Sequence, residues 1–363
     1  VDGFQGVIVT APTNTQRQQY RKRAEEEAEL TRDLEGLAAE PCITLDGHRM
    51  RLWVNTGLFS DVARSLERGA EGVGLYRTEI HYMMSEAFPT EEEQRQIYRE
   101  HLLAFSPRPV TMRTLDIGGD KALPYFPIQE DNPFLGWRGI RVSLDHPEIF
   151  IAQIRAMIRA SEGIDCYLRI MLPMVSSIAE VDMAKQLIDQ CVREVEEEGV
   201  IFKRPDIGVM IEVPAAVYQA EDILKRVDFL SVGSNDLVQY MLAVDRNNAQ
   251  VAGLYQEFHP AVLKALKQVA DAAIKAGKGV GICGEMAGNP GAALLLMAMG
   301  YQVLSMNSPN LLVVKKVLTS LTLTAAKALL DEVLQLETAQ EIKRRTDETL
   351  AEAGLGQLIR VRR

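Results

Sequence analysis

From Pro41 onward the chain alternates short apolar, β-branched runs with longer stretches whose apolar positions recur at helical spacing. Runs that read as strands occupy residues 51–55, 72–77, 110–117, 167–175, 207–213, 229–233, 279–283 and 303–306. Helical stretches follow them at 61–68, 90–103, 147–160, 178–198, 215–226, 260–276, 290–299 and 311–318. Pro147, Pro260 and Pro290 stand where helices begin, a position that does not need the missing N–H. Eight β/α alternations in about 280 residues match a (β/α)8 TIM barrel, whose usual size is about 250 residues. The competing fold, a doubly wound open sheet, normally opens with a glycine-rich strand-to-helix turn, and no GxGxxG appears here.

The two ends read differently. Residues 1–12 suggest a strand and turn around Gly6-Val7-Ile8-Val9 that needs a partner sheet, and the chain starts at Val1 inside an apolar segment, as a fragment of a longer protein would. Residues 13–40 are rich in Arg, Lys, Glu and Gln and read as a solvated linker helix ended by Pro41. Residues 41–363 hold the barrel, two further helices at 324–335 and 338–353, and a basic end, Arg360-Val361-Arg362-Arg363. The extra helices are expected to pack on the outside of the barrel or on a partner subunit.

A net charge of −10 and the lack of a basic stripe with interleaved aromatics exclude a nucleic-acid platform. An anionic substrate would therefore need locally clustered arginines, against the overall field. Cys42, Cys166, Cys191 and Cys283 show neither CxxC pairing nor zinc spacing, which points to a reducing, cytoplasmic location. No apolar run approaches the ~20 residues of a membrane span.

The chemistry sits at strand ends. Gly208-Val-Met-Ile-Glu-Val-Pro214 and Ser234-Asn-Asp236 both break an apolar run at a carboxylate, and an unpaired buried acid is costly. A divalent cation shared by Glu212 and Asp236 would relieve that cost, since Mg²⁺ takes one or two carboxylates plus phosphate oxygens. Arg77, Arg113, Asn235 and Cys283 close other strands, and Arg138 and Arg246 lie in the loops between. Guanidinium groups match phosphate and carboxylate alike, so the set suits one small phosphorylated carboxylate. Each member has a plainer reading. Arg77 with Glu79, or Arg113 with Asp116, makes a local ion pair; Cys283 fills core like the other cysteines; His259 caps the helix that begins at Pro260. The segment 245–259 is long for a βα loop, where barrels place function.

Six blocks, in order, carry a resemblance. They are Gly72-Val-Gly-Leu-Tyr-Arg-Thr-Glu79, Thr111-Met-Arg-Thr-Leu-Asp-Ile-Gly-Gly-Asp-Lys121, Asn132-Pro-Phe-Leu-Gly-Trp-Arg-Gly-Ile-Arg141, Met210-Ile-Glu-Val-Pro-Ala-Ala216, the run from Ser231 to Arg246, and Ile282-Cys-Gly-Glu-Met-Ala-Gly288. Together they resemble the Enzyme I family, the phosphoenolpyruvate–protein phosphotransferases of the bacterial phosphotransferase system. Ser234, where that family usually has Thr, and Leu304-Ser-Met-Asn-Ser-Pro-Asn310 are most like its nitrogen-related branch. The resemblance implies a C-terminal phosphoenolpyruvate (PEP)-binding barrel that forms homodimers. It implies that Arg77, Arg113, Arg246 and Asn235 bind substrate, with Arg138 and Lys121 as further contacts. Glu212 and Asp236 would ligate Mg²⁺, Asp236 lying against the substrate as well, and Cys283 would donate a proton. The family's phosphohistidine block, of the form TSxxSHxAI, does not occur in this sequence. Residues 1–12 then look like the tail of the swivelling phosphohistidine domain, and the phosphocarrier protein would dock on regions outside this sequence. A pyruvate phosphate dikinase or PEP synthase barrel is the runner-up, and a PEP-sensing, dimerising module is the non-enzymatic alternative.

Overall fold

In a computed structural model, which describes residues 7–360, eight parallel strands close into a barrel in chain order. They are β1 (Arg51–Thr56), β2 (Val73–Arg77), β3 (Pro109–Arg113), β4 (Tyr167–Leu172), β5 (Asp206–Ile211), β6 (Phe229–Val232), β7 (Gly279–Ile282) and β8 (Val303–Met306). β8 closes on β1 with Arg51 opposite Val303 and Val54 opposite Met306. The eightfold alternation expected from the sequence is thus the fold.

Strand composition follows from the double burial that helices impose on a parallel barrel. β5 and β6 are buried almost throughout, which is why both read as unbroken apolar runs. The helix Pro290–Met299 is buried on every side, matching its apolar sequence, because helices Leu323–Val333 and Ala339–Glu352 cover it. The C-terminal helices are therefore an outer layer of the barrel itself. Thr90 and Ser177 open their helices with complete capping boxes, and His259 accepts from the Ala261 N–H at 3.1 Å, so it caps the helix Pro260–Ala276 as expected.

Several boundaries depart from the sequence reading. The strands expected at 110–117 and 167–175 stop at Arg113 and Leu172, because the backbone turns off the barrel once the strand-end side chains are placed. The helix expected at 215–226 is two short ones, Pro214–Tyr218 and Ala220–Leu224, broken at Gln219. The Gln219 side chain there donates to the carbonyls of Ser176 and Ala215. Short helices at Glu79–Met84, Ile140–Asp145 and Ser234–Leu242 were not evident from periodicity.

The polar N-terminal segment forms a mostly exposed helix, Asn14–Glu35. Just beyond it, the buried Lys315 ammonium donates to the carbonyls of Leu37, Ala38 and Glu40 at 3.1, 3.1 and 2.8 Å. The strand expected around Gly6–Val9 begins outside the described residues, and most of the basic C-terminal end lies outside them too. No helix among the described residues is long and apolar enough to cross a membrane.

Candidate active site

Parallel strands bring their C-terminal ends to one mouth. There a cavity of about 340 Å³ is lined by Arg77, Arg113, Lys121, Glu212, Asn235, Asp236, Arg246 and Cys283. Residues from β2, β3, β5, β6 and β7 and their following loops, up to 206 positions apart between Arg77 and Cys283, thus face one space. Arg138 is the exception among the nine residues singled out in the sequence: it is wholly buried behind the cavity wall.

Arg77 and Arg113 are opposite one another in register as the last residues of β2 and β3. Their surroundings differ sharply. Arg77 is exposed and makes no ion pair among the described residues, so the local Arg77–Glu79 pair is not formed. Glu79 instead pairs with Arg113, which is also 3.0 Å from Asp116. Lys121 pairs with Asp116 and lies 3.4 Å from Glu79. Burial opposes ionisation of Glu79 and Asp116, but Arg113 and Lys121 outweigh it, joined by Arg138 at Asp116, and hold both carboxyls below their ordinary values.

Asp236 is not at the end of β6 but in the first turn of the helix Ser234–Leu242. No basic residue adjoins it in the chain; the fold supplies two partners. Arg138 donates to its two oxygens at 3.1 Å each, and Arg246 approaches at 3.4 Å. Arg138 also reaches Asp116 at 3.2 and 3.3 Å, and its Nη1 donates to the Tyr240 hydroxyl at 3.1 Å. Tyr240 in turn donates to the Phe134 carbonyl at 2.5 Å. Gly139 follows with φ 60°, a conformation open to glycine, and an added Cβ would meet the Met174 side chain at 2.9 Å.

Glu212 has the opposite character. One carboxyl oxygen accepts from the Met174 N–H at 2.7 Å; the other is buried without a hydrogen-bond partner. Burial, with Asp236 and Asp116 nearby, pushes its carboxyl up to about 8 despite Arg138 and Arg113. Asn235 accepts from the Glu285 N–H at 2.8 Å, tying the first turn of the helix Ser234–Leu242 to the loop after β7.

Cys283 is 3% exposed. Its thiol donates to the Val232 carbonyl at 3.6 Å, and its own carbonyl accepts from Asn55 at 2.8 Å. Asn55 in turn accepts from Ser305 at 2.7 Å, so β1 and β8 fix the Cys283 backbone. Burial pushes the thiol up to about 11, which keeps it protonated at neutral pH. Glu79, Tyr240 and Asn55 were missed as site residues because their partners are distant in sequence. The neighbouring Arg113 and Asp116 were the one legible pair.

The model of the PEP-utilising enzymes' PEP-binding domain matches residues 31–323. The chain belongs to that family. It is 45% identical over 361 residues to a Salmonella typhimurium protein named "Phosphoenolpyruvate-dependent phosphotransferase system", covering 99% of this chain and 48% of that protein. It is 42% identical over 361 residues to the phosphoenolpyruvate-protein phosphotransferase of Haemophilus influenzae, covering 98% of this chain and 62% of the relative. With the Staphylococcus carnosus phosphoenolpyruvate-protein phosphotransferase it shares 40% identity over 344 residues, or 94% of this chain and 60% of the relative. The chain thus spans about half to three-fifths of the length of these relatives. In this PEP-binding domain, the cavity at the mouth is the place where arginine, carboxylate and thiol meet.

Proposed function

We propose that this PEP-binding domain holds PEP together with Mg²⁺ at the barrel mouth, where the phosphoryl group leaves for a histidine outside this sequence and pyruvate is formed. The observation that carries this reading is the convergence of unpaired or re-pairable cations, two carboxylates and a protonated thiol on one 340 Å³ cavity.

The donor set suits Mg²⁺. The buried oxygen of Glu212 without a hydrogen-bond partner is a hard ligand, and Asp236 shares its cavity. Among the described residues no group of three or more His, Cys, Asp or Glu could hold a metal. Two carboxylates with the rest of the shell from phosphate and water is the usual arrangement for this ion. Bound there, Mg²⁺ would supply charge neutralisation at the phosphoryl oxygens.

The chain's own residues do the rest. Arg77, exposed, and Arg246, 24% exposed in its side chain and held only by long contacts to Asp236 and Asp120, would take up phosphate and carboxylate oxygens. Arg113 and Lys121 are held in place by Glu79 and Asp116, so their charge is pre-positioned before substrate arrives. Phosphoryl transfer breaks the bond between phosphorus and the enol oxygen and leaves pyruvate enolate. Cys283 then gives its S–H proton to C3, and the thiolate left behind sits in the field of Arg113 and Arg77 until solvent reprotonates it.

In the longer proteins the phosphohistidine would pass its phosphoryl group to a phosphocarrier protein, and the domain would assemble as a cytoplasmic homodimer, most like the nitrogen-related branch. These assignments rest on the family resemblance. Sedimentation with PEP and Mg²⁺ present tests the dimer, and a monomer at high concentration overturns it. Calorimetric titration with PEP, with Mg²⁺ and then with chelator, tests the site. Tight binding that needs both the metal and Glu212 is expected; equal binding with chelator and in Glu212→Gln removes the metal from the reading.

A further inference from the structure

The backbone at Cys283 has left its strand. β7 pairs with β8 only as far as Ile282 opposite Leu304, so the ladder that would occupy the Cys283 carbonyl has ended. On the other side the Cys283 N–H still donates to the Val232 carbonyl of β6 at 2.9 Å. A side chain replaces the missing ladder bond. Asn55, near the end of β1, reaches past β8 and donates an amide N–H to the Cys283 carbonyl at 2.8 Å. The Ser305 hydroxyl of β8 donates to the oxygen of the same amide at 2.7 Å. With its oxygen occupied by a donor, the amide keeps its nitrogen turned towards Cys283.

The strands are shaped around this pair. Register between β1 and β2 shifts at Asn55: Val54 is opposite Val73 and Asn55 opposite Leu75, which leaves Gly74 as an extra residue. A bulge of this kind re-aims the side chains beside it. A Cβ on Gly74 would meet the Ser305 hydroxyl at 2.4 Å, so the glycine leaves the room that Ser305 fills. Ser305 is buried, and neither it nor Asn55 lines the cavity at the mouth. Beyond Cys283, a Cβ on Gly284 would meet the Ser234 hydroxyl at 1.8 Å, so the chain is held closely there as well.

We propose that Asn55 and Ser305 are positioning residues for the protonation of C3: they set the peptide that follows Cys283 and thereby the direction in which the thiol meets the enolate. This rests on the proposed role of Cys283 as proton donor. Proton transfer needs donor and acceptor within hydrogen-bond reach, and a misplacement of about 1 Å can cost about 100-fold. The other restraints on Cys283 come from backbone or from close packing; Asn55 and Ser305 are the side chains whose hydrogen bonds lead to its carbonyl.

Pyruvate provides a test that needs no phosphoryl acceptor. In the reverse of the last step the Cys283 thiolate takes a proton from C3, giving enolate and thiol. In D₂O the thiol exchanges that proton with solvent, and return of a deuteron to C3 labels the methyl group. Labelling is followed by NMR at saturating pyruvate with Mg²⁺ present, and PEP affinity is measured by calorimetry alongside. Asn55→Ala should slow labelling about 10- to 100-fold while PEP affinity stays within about 3-fold. Ser305→Ala frees the amide to turn over and should slow labelling by about 3-fold or more; it removes a single oxygen, which guards against misfolding of the first variant. In a Cys283→Ala background, Asn55→Ala should change the residual rate by less than about 2-fold, because no thiol is left to aim. Unchanged labelling in either variant that folds, a loss of PEP affinity as large as the loss of rate, or the full effect of Asn55→Ala without the thiol each overturn the positioning role and leave the proposed function standing. Equal labelling by wild type and Cys283→Ala overturns the thiol as proton donor, and the positioning role with it.

Discussion

Arg138 grips Asp236 through two parallel bonds of 3.1 Å while touching Asp116 on its other edge. One fully buried guanidinium thereby joins the loop after β3 to the helix after β6. Three carboxyls, those of Asp116, Asp236 and Glu212, crowd the same region, and Arg138 acts on each of them.

Removing that bridge should cost far more than a surface arginine would. Arg138→Met leaves Asp116 and Asp236 buried with fewer counter-charges, which is expected to destabilise the barrel by about 3–5 kcal/mol. Because Asp116 and Asp236 lie below their ordinary values in the folded protein, they stabilise it at neutral pH and lose that contribution as pH falls. The deficit of the variant should therefore be full from pH 8 down to about pH 5 and shrink only as pH falls through and below the ordinary carboxylate range of about 4. Urea unfolding at several pH values checks this; a loss under about 1 kcal/mol at pH 8 would show the network to be dispensable.

Arg77 and Arg113 should part ways on substitution despite their matched register. Arg77→Ala is expected to leave the unfolding midpoint nearly unchanged and weaken PEP binding about 10-fold or more, since the side chain is exposed and unpaired. Arg113→Ala should destabilise by about 3 kcal/mol or more, because Glu79 and Asp116 keep only Lys121 and Arg138 nearby. Equal stability losses in the two variants would contradict this division.

Glu212 predicts proton release. With its carboxyl at about 8, it holds a proton at pH 7 in the folded, metal-free protein. Unfolded, it would ionise in the ordinary range, so this proton stabilises the fold below that range and the contribution is lost as pH rises towards 8. Binding of Mg²⁺ with PEP must expel it, so titrations at pH 7 in buffers of different ionisation enthalpy should show close to one proton released. Release should vanish by about pH 9 and be absent in Glu212→Gln. An unchanged proton count in that variant would assign the proton to another group.

Cys283→Ala should separate chemistry from packing. In a protein that also carries the phosphoryl-accepting histidine, pyruvate release is expected to fall by about 10²–10⁴-fold, while PEP binding stays close to normal. With the wild-type thiol at about 11, no activity loss from its ionisation should appear between pH 7 and 9. Comparable rates in wild type and variant would reduce Cys283 to a small core residue.

The eight strands were legible because double burial writes continuous apolar runs into the sequence, and β5 and β6 are the clearest cases. The residues at their ends were legible for the complementary reason: Glu212 and Cys283 interrupt or close such runs. What stayed hidden is who neutralises whom. Nothing near Asp236 in the chain announces Arg138, which lies 98 positions away, and Glu79 sits two residues from Arg77 yet pairs with Arg113. Pairings across a barrel mouth depend on register, and a local reading defaults to the neighbour in sequence. The short helix Ser234–Leu242 escaped for another reason: only Gly233 separates it from β6, so its first turn reads as the end of the strand.

The clamp of Lys315 on the carbonyls of Leu37, Ala38 and Glu40 has a mechanical consequence. An ammonium ion that satisfies the chain just past the helix Asn14–Glu35 turns that junction into a fixed mount. The helix is 22 residues long, about 33 Å, and a small angular change at its base sweeps a wide arc at its tip. Any segment attached ahead of Asn14 inherits its bearing from a charge seated in the barrel's own outer layer. Reorientation of such a segment would have to come from bending elsewhere along the lever, with Lys315 as its fulcrum.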